Sequence, residues 1–356
     1  MSPCEAKIFD KVYQKEVKHM EMEQQMSTDI ALTHETTIRA SGIDYKRKEV
    51  RGANWTIVNG DSCKEIASVP DDSMGFSIFS PPFSSLFVYS DSIRDMGNCE
   101  SDEQFFQHFN YLIPHLFRIT IPGRLCAVHC SQLPSHKWKD GEVGLKDFRG
   151  DIIRSFQQAG WIYHSEVCIW KDPVVEMTRT KALGLLHKQI KKNSAMSRVG
   201  MPDYLVVFRK PGDAVAPVHR PEGFNPNAYR GENGAECKTS VEVWQRYASP
   251  VWFDINQTNV LNVRVARNEK DERHMCPLQL DVIERAIHLW TIPGDTVFTP
   301  FLGIGSEVVS AVKLGRKGYG IELKQEYFAQ AIKNLKAQDE QNRQHNLLDA
   351  MLAEVQ

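Results

Sequence analysis

The chain has 356 residues, 42% hydrophobic and 25% charged, which suits one large globular domain or two small ones and excludes a wholly disordered, collagen-like or solenoid chain. Forty-three Lys and Arg against 45 Asp and Glu give a net charge of −2, so any nucleic-acid contact must come from a local patch. Eight scattered cysteines form no CxxC pair and no spacing typical of metal ligands, and no apolar run reaches signal-peptide or membrane-span length. The expectation is a reduced, soluble, cytoplasmic protein with no metal and no membrane contact.

Residues 1–53 carry many Lys, Glu, Gln and Met with weak periodicity and read as an N-terminal arm. From Trp55 the pattern sharpens: WTIVN is a short apolar strand, CKEIASV a short helix, and MGFSIFS (74–80) a buried strand running into SPPF. Ser101 followed by Gln104 is a capping-box signature, with apolar residues at 105, 109, 112, 116 and 119 at helical spacing and closure at Pro122-Gly123. RLCAVHC then reads as a strand, DIIRSFQQAG as a helix, and WIYHSEVCIW and DYLVVFRK as two more strands separated by a basic insertion. Residues 211–270, rich in Pro, Gly and Asn, read as a surface excursion with a short helix near VEVWQRYA. Alternation returns from Pro277: helix, strand TVFT, loop PFLGIGSE, helix VVSAVKLG, strand KGYGIEL, and a helix from about Lys324. Strands and helices in alternation predict an α/β fold with a Rossmann-like, doubly wound, mostly parallel sheet.

Two loops carry chemistry. Thr299-Pro300-Phe301-Leu302-Gly303-Ile304-Gly305-Ser306 lies between an apolar strand and a helix, where a nucleotide-type cofactor meets backbone amides and a helix N-terminus. Glu322 ends the next strand nineteen residues after Gly303, the position from which a carboxylate accepts ribose hydroxyls. The alternative is a tight turn whose glycines only permit packing. The second loop is Ser80-Pro81-Pro82-Phe83. Two prolines stiffen it and remove two amide donors, leaving carbonyl oxygens able to hold an amino group, and Phe83 offers a face for a ring carrying such an amine. Alone, this motif also fits a turn closing a strand over a core phenylalanine.

SPPF after an apolar strand, together with PFLGIGSEVVSAVKLGRKGYGIEL, resembles the amino-methylating DNA methyltransferases that use S-adenosylmethionine, across residues 55 to about 335. The order of SPPF first, basic insertion next and glycine loop last resembles the circularly permuted beta group. His274-Met275-Cys276-Pro277 is similar to the H-x-x-P element opening that group's cofactor region. Two positions depart from the family: Thr299 stands where Asp is usual, and Gly-Ile-Gly-Ser where Gly-Ser-Gly-Thr is common. The resemblance implies cofactor contacts from His274, Pro277, Pro300, Phe301, Gly303, Gly305, Ser306 and Glu322, with Asp61 at the adenine edge. Asp254 in VWFDI is a further candidate to replace the missing cofactor-side charge; its alternative is an ordinary loop acid.

An exocyclic amine conjugated with its ring is a poor nucleophile, so the enzyme must localise its lone pair and needs no covalent intermediate. In the implied site the Ser80 oxygen and the Pro81 carbonyl accept the amine hydrogens and Phe83 stacks on a flipped base. SPPF accompanies N4 of cytosine more than N6 of adenine in the family, so cytosine is expected and adenine is the alternative. A non-catalytic DNA-binding protein with an unused cofactor pocket is the further alternative. Residues 171–198 gather Lys171, Arg179, Lys181, Lys188, Lys191, Lys192 and Arg198 against two acids, a net +5, and are the expected phosphate-binding face; a solvated basic helix is the bland reading. The chain divides on this reading into the arm (1–53), a catalytic half (54–170), a DNA-contact region (171–270), a cofactor half (271–335) and a helical tail (336–356). DNA is the expected partner, with a second copy of the chain and a cognate restriction enzyme as further candidates.

Overall fold

The structure is a computed structural model and describes residues 47–83, 95–135, 140–141, 144–180, 185–213, 240–261 and 278–353. The early elements are strand β1 (Lys48–Arg51), β2 (Trp55–Asn59), the one-turn helix α1 (Ser62–Glu65) and β3 (Met74–Phe79). Helix α2 (Asp102–Ile119), β4 (Thr120–Ser131), the short pair β5 (Leu133–Ser135) and β6 (Gly144–Lys146), α3 (Phe148–Gln158) and β7 (Ile162–Ile169) follow. Then come α4 (Pro173–Thr180), α5 (His187–Lys192), β8 (Asp203–Arg209), α6 (Ser240–Tyr247) and β9 (Val251–Trp252). The last elements are α7 (Leu280–Trp290), β10 (Thr296–Thr299), α8 (Ser306–Lys313), β11 (Lys317–Glu322) and α9 (Gln325–Ala353).

Nine strands form one sheet in the order β1-β2-β11-β10-β3-β4-β8-β7-β9, in which β2, β11, β10, β3 and β4 run parallel and β8 runs against its neighbours. The sequence explains why both faces are covered. Along β8, Leu205 and Val207 enter one apolar cluster with α7, while Val206 and Phe208 enter another with α2 and α3, the period-two alternation of a strand buried on both sides. A third cluster packs Trp55 and Ile57 of β2 against α8 and α9. The doubly wound, mostly parallel expectation therefore holds.

Ser101 caps α2 as its spacing predicts, its side chain accepting from the Gln104 amide at 3.2 Å, while Gln104 accepts in return from the Glu100 amide. The helix stops at Ile119, ahead of Pro122-Gly123, because the backbone at Thr120 is already extended. Pro122-Gly123 instead sits inside β4 as an irregularity, with Gly123 at φ 78° and the pairing with β3 jumping from Met74↔Thr120 to Phe76↔Leu125. Three features differ from the sequence reading. β1, within the supposed arm, adds an antiparallel edge strand to β2. β9, within the supposed excursion, pairs with β7 and buries Trp252, whose large apolar ring gains most from a place in the core. Finally, α9 runs unbroken through residue 335, where the reading divides the cofactor half from the tail.

Candidate active site

Sheet order brings the two chemical loops together. β10 and β3 are hydrogen-bonded parallel neighbours, Val297 opposite Phe76 and Phe298 opposite Ser77, so the loops at their C-terminal ends share one crevice. From β10 the chain passes through α8 to β11 on one side, and from β3 through α2 to β4 on the other, which makes the crevice the topological switch point of the sheet.

On the glycine-loop side, Gly303 (φ 53°) and Gly305 (φ 99°) adopt left-handed backbone, and a Cβ at Gly303 would meet no atom within 4 Å, so open space faces the loop there. The loop is pinned from behind: the Leu302 amide donates to the Ile321 carbonyl at 2.9 Å, and the Asn334 side chain of α9 donates to the Ile304 carbonyl at 2.9 Å. The Ser62 hydroxyl donates to the Pro300 carbonyl, and Phe301 packs on Phe79 with ring centroids 5.7 Å apart. Ser306 begins α8 and is buried. Glu322 ends β11 and accepts from the Gly303 amide at 2.7 Å and the Lys324 amide at 2.8 Å. Burial pushes its carboxyl up to about 8, against the pull of those amides. The buried Glu307 carboxyl, at the start of α8, is likewise pushed up to about 8 by burial, with Glu322 adding to the effect. The Thr299 hydroxyl oxygen is buried with no hydrogen-bond partner among the described residues. Asp61 caps α1 by accepting from the Cys63 amide at 3.0 Å and follows β2, whose end is tied to Glu322 by the Asn59 side chain, which donates to the Glu322 carbonyl at 2.8 Å.

On the SPPF side, Ser80 directly follows β3, Pro81 is buried, and Phe83 lies with its ring 6.1 Å from those of His129 and Phe148. The Ser80 hydroxyl is 3.1 Å from His129 Nδ1. His129 Nε2 lies 3.2 Å from Asp203 Oδ2, and Asp203 Oδ1 lies 2.6 Å from the Lys171 ammonium. Burial would raise the Asp203 carboxyl, but His129 and Lys171 outweigh it and hold it at about 2. The sequence reading missed His129 and Asp203; a histidine inside the apolar run RLCAVHC and an acid opening DYLVVFRK were the available signals.

Two sequence-derived roles meet other partners. Lys171, grouped by sequence with phosphate contacts, has its ammonium on Asp203, because it follows β7 directly beside the start of β8. Asp254, suggested as a charge for the cofactor, makes a two-pronged pair with Arg285 of α7 at 2.9 and 2.8 Å, because β9 lays the VWFDI segment over that helix. Of the remaining basic residues, Lys188, Lys191 and Lys192 are exposed on α5, and Arg198 is half-buried. Arg179 lies in α4. Lys181, His274 and Pro277 lie outside the described residues. Trp170 is 42% exposed at the end of β7.

A mostly parallel α/β sheet thus places a glycine loop and a proline-stiffened polar loop at one switch point, where α/β folds take up nucleotide-type ligands. Residues 76–333 match the profile of the N6/N4 DNA methylase family, and the chain belongs to that family. Among curated proteins it is similar to the type II methyltransferase M.MjaI of Methanocaldococcus jannaschii, 22% identical over 76% of this chain and 87% of the relative. It is also similar to type II methyltransferase M.BglII of Bacillus subtilis, 23% identical over 80% of this chain and 70% of the relative. Among solved structures the fold matches TTHA0409 of Thermus thermophilus, solved in complex with S-adenosyl-L-methionine, with TM-score 0.55 and 20% identity over 79% of this chain and 92% of that one. The cytosine-N4-specific PvuII DNA methyltransferase matches with TM-score 0.51 and 16% identity over 79% of this chain and 86% of that one.

Proposed function

We propose that this DNA methylase transfers a methyl group from S-adenosylmethionine to the exocyclic N4 amine of a cytosine flipped out of DNA, and that it is a circularly permuted member of the beta group. The observation that carries the reading is the position of Ser80, a neutral hydroxyl rather than a carboxylate, at the switch-point crevice opposite the glycine loop. The chain order supports the permuted assignment: the strand bearing SPPF precedes the glycine-loop strand in sequence and sits beside it in the sheet.

The residues present fit the cofactor. Open space faces Gly303, the Thr299 oxygen is buried and unpartnered among the described residues, and the Glu322 carboxyl, whose proton burial favours, keeps one O–H donor and further acceptor capacity beyond the backbone amides it accepts from. Glu322 would hold the ribose hydroxyls, Asp61 the adenine edge, and the Ile304 and Ser306 amides the remaining polar groups, the Gly303 and Gly305 amides being bonded to Glu322 and Leu302. When bound, the cofactor supplies an electrophilic methyl group on a sulfonium. The chain's own residues prepare the amine. Ser80 and the Pro81 carbonyl accept its two hydrogens, which turns the nitrogen lone pair out of conjugation, and Phe83 stacks on the base and excludes water from the reacting face. DNA enters over the exposed lysines of α5.

The test is to incubate the protein with S-adenosylmethionine and unmodified genomic DNA and identify the methylated nucleoside by mass spectrometry. The expected product is N4-methylcytosine, absent with Ser80→Ala. N6-methyladenine would overturn the base assignment, and no methylated nucleoside from several DNA sources would overturn the enzymatic reading.

A further inference from the structure

Four side chains on consecutive strands of the sheet end in a line that starts at Ser80. Across the sheet the strands run β3-β4-β8-β7, and the four side chains follow that spatial order: Ser80 after β3, His129 in β4, Asp203 at the start of β8 and Lys171 after β7. The separations are 3.1 Å, 3.2 Å and 2.6 Å in that order. His129 and Asp203 are only 5% and 3% exposed. Burying an ionised carboxylate and its partners rarely adds stability compared with apolar residues of the same size, so core packing gives no reason for this array. Its place does: the series leads across the sheet to Ser80 at the edge of the crevice, β8 joining it with its first residue because it runs antiparallel to β4.

We propose that His129, backed by Asp203 and Lys171, is a positioning and proton-accepting residue for Ser80 in methyl transfer, an inference that rests on the amino-methyltransferase reading above. His129 Nε2 makes no hydrogen bond of ordinary angle but lies 3.2 Å from the Asp203 carboxylate, which only accepts, so the imidazole hydrogen is placed on that nitrogen. Nδ1 is then the lone-pair nitrogen, and the Ser80 hydroxyl donates to it. With its hydrogen turned away, the Ser80 oxygen presents only lone pairs to the pocket and selects an amine hydrogen over a carbonyl oxygen. Once the target nitrogen has gained its methyl group it carries one proton too many. The N–H bond breaks with its electron pair staying on nitrogen, Ser80 Oγ takes the proton, and the Ser80 hydrogen passes to His129 Nδ1. The imidazolium sits against the Asp203 carboxylate until its proton leaves to water. This explains how a neutral serine manages a step for which a carboxylate is the simpler acceptor.

Among the described residues the charged groups around His129 are few. Asp203 faces it from β8 and Lys171 from the end of β7, and the Phe83 ring covers it from the SPPF side. Farther out, Arg149 of α3 pairs with Glu166 of β7 at 2.8 Å and lies over the Tyr204 ring, and Asp147 caps α3; these three act on the neighbouring Cys130 thiol.

The experiment uses the full-length protein, S-adenosylmethionine and a DNA substrate that the wild type methylates. His129→Gln keeps a polar side chain but cannot take a proton. It is expected to lower kcat about 100-fold or more, the usual scale of general acid–base catalysis, with KM for DNA and the S-adenosylmethionine-induced thermal shift unchanged. The acid limb of its kcat–pH profile flattens. Lys171→Met removes a cation near the imidazole and is expected to move that limb to higher pH, which loss of packing alone would not do. Two-dimensional 1H–15N spectra of the wild type should show Nε2 protonated and an Nδ1 resonance that moves in Ser80→Ala. Wild-type kcat and an unchanged pH profile in His129→Gln, or a proton on Nδ1, would overturn the proposal. A wild type that methylates nothing would instead overturn the functional reading, and the spectra decide the tautomer in either case.

Discussion

The Asp254–Arg285 pair separates a cofactor role read from sequence from a structural role read from geometry. Arg285 has a side chain 6% exposed, is bound at both ends of its fork by Asp254, and lies 4.8 Å from the Trp252 ring and 5.2 Å from the Tyr247 ring. Asp254 is 32% exposed, so solvent screens its side of the pair. Removing one partner of a fully buried pair costs about 3–5 kcal/mol. Discounted for that exposure, Asp254→Asn should cost roughly 2 kcal/mol, because the amide still accepts one hydrogen bond while the guanidinium loses its counter-charge. Arg285→Met, which refills the slot with apolar atoms and removes the charge, should cost less than the hydrogen bonds it deletes would suggest. The double variant should then reveal a coupling of about 1–2 kcal/mol, within the range for residues that touch directly. Urea unfolding of the four proteins supplies these numbers, and calorimetric titration with S-adenosylmethionine supplies the control. The structural assignment requires destabilisation with unchanged cofactor affinity in Asp254→Asn. A tenfold weaker affinity at unchanged stability would refute it and restore the sequence-derived role.

Two more outcomes follow from charges elsewhere. Glu307 and Glu322 are pushed up to about 8 from an ordinary 4.5, so between those limits the folded protein holds protons that the unfolded chain has released. Their contribution to stability is therefore full below about pH 4.5 and is lost as pH rises through about 8, whereas that of Asp203, held at about 2, is present above about pH 4 and lost toward pH 2. Glu307→Gln should accordingly stabilise the cofactor-free protein by roughly 2–4 kcal/mol at pH 9 and less than half as much at pH 6, read as a melting temperature that diverges from wild type as pH rises; parallel curves would contradict the assignment. At the proposed DNA face, changing Lys188, Lys191 and Lys192 together to Ala should weaken binding similarly on all sequences and reduce the slope of log K against log salt by about 0.9 for each phosphate no longer neutralised. An unchanged slope would make these lysines a solvated helix face.

Much of this fold is legible in the sequence because its strands are short, apolar and bounded by turn residues, and because Ser101–Gln104 and Gly305 mark helix starts by known backbone requirements. The exceptions share a cause: β1 (KEVR) and β9 (VW) lack the length or apolar content to declare themselves and exist because a neighbouring strand supplies hydrogen-bond partners. The site divides in the same way. Ser80, Gly303 and Glu322 could be read because each is fixed by local chain geometry, a stiff turn, a left-handed turn or a strand end. The contacts of His129, Asp203 and Arg285 could not, since they arise only from which strands and helices become neighbours.

Sheet order also explains how a chain with its two chemical loops far apart in sequence can assemble one crevice. What matters is that β3 and β10 are parallel neighbours and present their C-terminal ends together. The array behind Ser80 is less tolerant. It requires β4, β8 and β7 to stay in the present register, with His129 opposite Leu205, Ser131 opposite Asp203 and Ile169 opposite Asp203. A one-residue slip of β8 would turn Asp203 to the other face of the sheet. The antiparallel pair of β7 and β8 holds that register with the alternating apolar residues Leu205 to Phe208, so the same side chains that close the core on both faces also keep Asp203 against His129.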